Sequence, residues 1–221
     1  MNAPLRIAAD RFSRAEWIAQ MLRERIIDGT YAPGERIREA QLREEFGLSN
    51  GPIREALQRL VADGLAQRAP WQGVRVVELS EAEIVQLFEL RSALLEYAAE
   101  RAAEHAGPKD AATASALRKL LARKHAAARA GHPEPVSGAT TDWVMSVAGN
   151  PQITAVWQAT MLRSRIYVHR SMQRTAGVIT APIIDRLISS ILDRKPRLAR
   201  AAARELTLQM LSGAGVERGA E

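Results

Sequence analysis

Between Glu39 and Leu65 the chain sets two short apolar faces a few residues apart, with a glycine between them. Leu42 and Phe46 lie one helical step apart, which predicts a helix with a single buried side. Gly47 follows, and a glycine can take the left-handed conformation that ends a helix. Ser49 stands at an N-cap position, and Pro52 fits the next first turn, where its missing N–H is not needed. Ile53, Ala56, Leu57, Leu60 and Val61 recur with helical spacing and predict one buried stripe on a second helix. Arg54, Gln58 and Arg59 fall off that stripe and face outward, and Gly64 closes the element. A helix, a glycine turn and a second helix with arginine outward form the helix-turn-helix layout, whose second helix can enter a major groove.

The flanks extend this unit to residues 10–79. Ser13-Arg-Ala-Glu16 predicts a capping box, with Ser13 as N-cap and Glu16 reaching back. Trp17, Ile18, Met21, Leu22 and Ile26 continue it as an amphipathic helix that Gly29 ends. Pro33-Gly34 suits a type II turn. After Gly64, residues 65–69 and 74–79 read as two strands with Pro70-Trp-Gln-Gly73 at the hairpin tip, a wing. Trp71 is expected to pack rather than to stack on a base. Residues 1–12 have no periodicity and read as a loose arm.

Ser80-Glu-Ala-Glu83 is a second capping box and marks the domain boundary, with no slack linker before it. Residues 80–213 predict an antiparallel helical bundle. A first helix carries Ile84, Leu87, Phe88, Leu94, Leu95 and Ala98 and stops near Gly107-Pro108. An alanine-rich helix over about 110–130 buries Leu117, Leu120 and Leu121. A loop follows over 131–138, and a short helix over 142–147 ends at Gly149-Asn-Pro151. A long helix over 152–174 buries Ile153, Val156, Trp157, Met161 and Ile166. Another from Thr180 carries Ile183, Ile184, Leu187, Ile188 and Ile191. The last, after Pro196, carries Leu198, Leu206, Met210 and Leu211. Residues 214–221 read as a disordered tail. The fold class expected is therefore mainly α, with a small β-hairpin wing.

The chain has no cysteine, which excludes disulfides, thiolate metal sites and cysteine nucleophiles. No apolar run reaches the length of a membrane span, so a cytoplasmic protein is expected. The net charge is +6, yet residues 1–78 hold 12 Arg and no Lys against 11 acids. Global charge does not mark the front half as the nucleic-acid side, so local arrangement must do so.

Pro33-Gly-Glu-Arg36, Pro52-Ile-Arg-Glu-Ala-Leu57 and Gly73-Val-Arg-Val-Val77 resemble the winged-helix domain of GntR-type bacterial transcription regulators. Leu79-Ser-Glu-Ala-Glu-Ile84, Phe88-Glu-Leu-Arg-Ser-Ala-Leu-Leu-Glu96 and Ala148-Gly-Asn-Pro151 resemble the FadR subfamily, whose second domain is the all-helical FCD effector domain. The resemblance implies a transcription regulator that binds a near-palindromic operator in double-stranded DNA as a homodimer and answers to a small molecule. It implies base or phosphate contacts from Ser49, Asn50, Gly51 and Arg54 at the start of the second helix, with the wing, through Gln72 and the Gly73 backbone, along the minor groove. Arg54 can chelate a guanine or clamp a phosphate, Asn50 can pair with adenine, and Arg36 and Arg38 can contact phosphates. Many relatives have Arg-Thr where this chain has Asn50-Gly51, a departure that removes a base-reading arginine and a phosphate-bonding hydroxyl but keeps the docking mode.

Many FCD domains also hold a divalent metal through an Asp, a His four residues on and two later His. Here Asp142 is followed by Ser146, the family's spacing gives Ser137 and Thr141 as alternatives, and the later positions fall on Ile184 and Leu206. Apolar side chains cannot ligate, so no metal is expected. Arg91 matches a cavity-lining family position. With Arg163, Arg165 and His169 on the long helix, it makes an arginine-bearing apolar site suited to a small organic carboxylate. Two other classes remain: a protein-interaction module that has lost DNA reading, and a helical-bundle enzyme. No Ser/His/Asp set, phosphate loop or glycine-rich fingerprint supports the enzyme, so none is expected.

Overall fold

Ser13 opens the first helix, α1 (Arg14–Ile27), by accepting the Glu16 N–H on its side chain at 3.2 Å. Glu16 does not reach back to complete the box. Its carboxylate is taken by Arg23 at 2.8 Å and by Arg59 of a later helix. The computed structural model describes residues 13–69, 71, 73–130, 138–175 and 180–214. The arm at 1–12, Gln72, most of the 131–138 loop and residues 215–221 lie outside the described residues. The backbone divides after Leu79 into two units, Met1–Leu79 and Ser80–Glu221.

In the first unit a type II turn at Pro33-Gly34, with Gly34 at φ +78°, leads into strand β1 (Arg36–Ile37). Helices α2 (Glu39–Phe46) and α3 (Asn50–Ala62) follow, then strands β2 (Ala66–Ala69) and β3 (Gly73–Val76). Gly47 ends α2 at φ +63°. The sheet is antiparallel in the order β1-β3-β2, so the wing has a third strand that two residues were too short to announce. Arg36 faces Arg75 across it, and Ile37 faces Val74. Ile18, Leu22, Ile26, Leu42, Ile53, Leu57 and Leu60 close the core. Val61 is half-buried, at the edge of its stripe.

Arg59 keeps 40 % of its side chain exposed, off the stripe, and there pairs with Glu16 and Glu55. Arg23 meanwhile bridges Glu16 and Asp63, so the group ties α1 to α3. The Arg23 hydrogen bond, aided by Arg59, holds the Glu16 carboxyl below the usual carboxylate range. Its stabilising contribution is therefore present above that range and lost as pH falls through the depressed value. Glu16→Gln is expected to cost about 1–2 kcal/mol at neutral pH. Calorimetric melts should show the two proteins converging below the carboxylate range.

The second unit starts on a complete capping box. Ser80 Oγ accepts the Glu83 N–H at 3.3 Å, and the Glu83 carboxylate accepts the Ser80 N–H at 2.9 Å. Six helices follow: α4 (Glu81–His105), α5 (Pro108–Arg129), α6 (Ala139–Ala148), α7 (Pro151–Thr175), α8 (Thr180–Leu192) and α9 (Pro196–Gly213). Gly149 at φ +66° ends α6, and the Asn150 side chain accepts the Gln152 and Ile153 N–H groups to start α7. The bundle core runs through Leu95, Trp143, Val144, Trp157, Leu187, Ile188, Ile191 and Leu206.

Two expected core residues face solvent: Val156 is 45 % exposed and Leu198 is 56 % exposed. The seam between α4 and α9 is built from Ala98, Ala99, Ala102 and Ala103 against Ala199, Ala202 and Ala203. Small side chains let the two backbones approach closely, so α9 rolls its alanine stripe inward and Leu198 outward. Leu87, Leu120 and Leu121 are half-buried. Among the described residues no helix is long and apolar enough to cross a membrane.

Candidate nucleic-acid interface and a buried cationic site

Strand β1, helix α2, the first turn of α3 and the start of β3 surround a cleft of about 560 Å³. Arg36, Arg38, Asn50, Arg54 and Gly73 all line it. Ser49 and Gly51 flank Asn50 and are exposed, while Gln72 lies outside the described residues. Arg43 joins the cleft and was not anticipated. Its signal is its place one turn after Glu39, off the Leu42–Phe46 face.

The lining holds four arginines against one carboxylate, Glu39. The near-neutral count of the front half hid this asymmetry, because other acids are engaged elsewhere. Glu16, Glu55 and Asp63 pair with Arg23 and Arg59, and Glu45 pairs with Arg25. The Arg54 Nε donates to Glu39 at 3.0 Å, and both side chains remain well exposed. Such a pair is worth under about 1 kcal/mol and yields readily to a better anion.

At the head of α3, Ser49 has extended cap geometry but makes no side-chain capping hydrogen bond. The first-turn N–H groups of a helix have no intrahelical partner, so this end is open. A Cβ on Gly51 would meet nothing within 4 Å. The missing side chain thus leaves free space beside Asn50. Arg36 and Arg75 oppose each other across β1 and β3, and like charges so arranged repel. An anion over that face would relieve the repulsion.

In the second unit Arg91 is only 7 % exposed. Its guanidinium lies 3.6 Å from the Trp157 ring centroid and donates to Thr160 Oγ1 at 2.9 Å and to the Trp157 carbonyl at 3.4 Å. Among the described residues no carboxylate is within ion-pair distance of it. Burial pushes Arg91 down to about 10, with Asp142 pulling the other way. Desolvation pushes the Asp142 carboxyl up against the opposing pull of Arg165 and Arg91. The Trp143 and Trp157 indole N–H groups are buried without an acceptor among the described residues.

The inward face of α7 runs through Trp157, Thr160 and Ser164, so Arg163 and Arg165 fall on either side of it. Arg165 is half-buried and acts on Asp142, and His169 is half-buried. Arg163 is exposed, outside the Arg91 group, and its charge acts on Glu83 at the start of α4. The family's metal does not fit these residues. Ile184 is 8 % and Leu206 1 % exposed, both part of the apolar core. Among the described residues no three His, Cys, Asp or Glu converge as a metal site would require.

Comparison with known proteins agrees with both halves. Residues 14–76 match the model of bacterial regulatory proteins of the gntR family, and residues 86–209 match the FCD domain. The chain is 38% identical over 79 residues to an uncharacterised HTH-type transcriptional regulator, YdhC, of Bacillus subtilis, covering 36% of this chain and 35% of that one. It is 38% identical over 71 residues to the HTH-type transcriptional repressor GlaR of Escherichia coli, covering 32% of each. These matches span about a third of the relatives' own length. The crystal structure of a putative transcriptional regulator GntR from Rhodococcus sp. RHA1 shares the fold at 20% identity. Its TM-score is 0.72, over 94% of this chain and all of that one. The chain belongs to the GntR family of bacterial regulatory proteins, with an FCD domain as its second unit.

Proposed function

We propose that this protein is a sequence-specific, DNA-binding transcription regulator of the cytoplasm, and not an enzyme. The first turn of α3 enters a major groove, where Arg54 and Asn50 meet base edges and Ser49 and Gly51 meet the backbone. Arg36, Arg38 and Arg43 hold phosphates, and the wing, through Gly73, lies beside them. The observation that carries this reading is the convergence of four arginines on the open head of α3 in one cleft. Selection of duplexes from a randomised pool tests it: an enriched motif is expected, and recovery of none would end the claim.

One such unit reads a half-site, and specific affinity at physiological salt calls for two. A homodimer on a near-palindromic operator follows. A shallow groove of about 390 Å³ between α4 and α9 supports a second copy as its occupant. It exposes Tyr97 and Leu208 between Glu89, Glu96 and Glu100 on one rim and Arg200 and Arg204 on the other. Arg200 already pairs with Glu96 at 3.3 Å and with Glu100 at 3.5 Å in the same chain, so the exposed Tyr97 and Leu208 are what a second copy would cover about a two-fold axis. Tyr97→Glu is expected to reduce the mass in light scattering to that of one chain.

The effector is a small organic carboxylate, received without a metal by Arg91, with Arg165 and His169 farther along α7. A buried cation beside indole donors lacking acceptors favours an anion rich in acceptor atoms. Its binding biases the bundle between two arrangements, only one of which suits the operator.

A further inference from the structure

The wing carries a side chain that the fold does not use. Trp71 stands at the tip of the β2–β3 hairpin with a relative exposure of 102 %, its indole wholly in water. Its φ is +62°, the left-handed region that bulky side chains rarely adopt. The chain has four tryptophans, and the other three are engaged. Trp17 packs edge-on against Phe46 at 5.4 Å, and Trp143 and Trp157 are 6 % and 2 % exposed. The expectation that Trp71 packs is therefore wrong, because a tip residue beyond the last strand pair, Ala69–Gly73, has nothing to pack on. Two unfavourable features are kept together at one position, and neither serves the folded chain.

We propose that Trp71 is an apolar wedge that the wing sets into the minor groove of the operator. This rests on the DNA-binding reading above. Gly73, which pairs with Ala69 at the base of the tip, lines the same cleft as Asn50 and Arg54, two residues from Trp71 in sequence. Among the described residues the outward side of the sheet carries Arg36 and Arg75 and no acid, which suits a phosphate-walled surface and not an acidic protein. With α3 in a major groove, the neighbouring groove is the minor one, about 6 Å wide. That width admits a flat ring at a hairpin tip but no helix. Apolar wedges there pack on sugars and part a base step, which is easiest at pyrimidine–purine steps.

The test uses the full chain and duplexes it selects from a randomised pool. Trp71→Ala is expected to weaken binding about a hundredfold, one aromatic stack of about tenfold being lost from each of the two wings of the dimer. The slope of affinity against salt should stay unchanged, because no phosphate contact is lost. Preference for a pyrimidine–purine step at the wing position should vanish. Acrylamide quenching of the exposed tryptophan should fall when wild type binds DNA. Trp71→Asn suits the left-handed backbone better, so it should melt no lower than wild type yet bind as weakly as the alanine variant. Unchanged affinity in both variants, a changed salt slope, or undiminished quenching in the complex would overturn the proposal. Failure of wild type to select any duplex would instead remove the reading beneath it.

Discussion

Replacing Arg54 with alanine is expected to weaken operator binding strongly and relax selection at the positions it reads, while leaving melting and oligomeric state unchanged. The guanidinium is exposed, and its partner among the described residues is Glu39 at 3.0 Å. A base or phosphate contact of this kind is worth about 1–3 kcal/mol. On a two-fold operator the loss is counted twice, so affinity should fall about a hundredfold or more. Glu39→Gln provides the converse. It frees Arg54 and removes the one carboxylate of the cleft. Binding to every duplex should tighten, with poorer discrimination between selected and scrambled sequences, as gel-shift titrations at fixed salt would measure. If Arg54→Ala binds its selected duplex as wild type does, the first turn of α3 is not the reading head.

Where a local rule acts, the sequence alone showed the outcome. Gly34, Gly47 and Gly149 take the positive φ that their turn or helix end requires. Ile183, Ile184, Leu187, Ile188 and Ile191 of α8 are all buried, because an apolar stripe of helical period has one way to face a core. Long-range partners were another matter. Arg59 sits off its helix's apolar stripe, and only the approach of α1, 43 residues earlier, turns it onto Glu16. Leu198 gave way to alanines because what decides the seam is backbone approach and not hydrophobicity. The candidate DNA-reading residues could be named from motif and position. The charge arrangement that makes them a positive cleft could not, since it depends on which acids the fold spends elsewhere. Arg91 could be named by resemblance, but Trp157 and Thr160, 66 and 69 residues away, could not.

Arg91 leads to the second large effect: Arg91→Met should raise the stability of the free protein and remove its response to carboxylates. Burial lowers the guanidinium from its ordinary value to about 10. The charged form is thus disfavoured in the folded bundle by roughly 3 kcal/mol. The Trp157 stack and the Thr160 hydrogen bond return part of that, since a desolvated cation–π contact is worth about 2 kcal/mol. Replacing an isolated buried charge with an apolar side chain of similar volume is often stabilising by about 1–4 kcal/mol. The variant should therefore melt higher in the absence of ligand. A carboxylate at a hundred times its dissociation constant would stabilise wild type by about 2.7 kcal/mol. Thermal-shift measurements against short mono- and dicarboxylates should find that gain in wild type and none in the variant. Arg91→Lys keeps the charge but loses the planar fork and the stack, so it should respond weakly. A higher melt with the acid response intact would put the effector elsewhere in the bundle. A lower melt would mean that Arg91 is part of the packing and that its isolation carries no message.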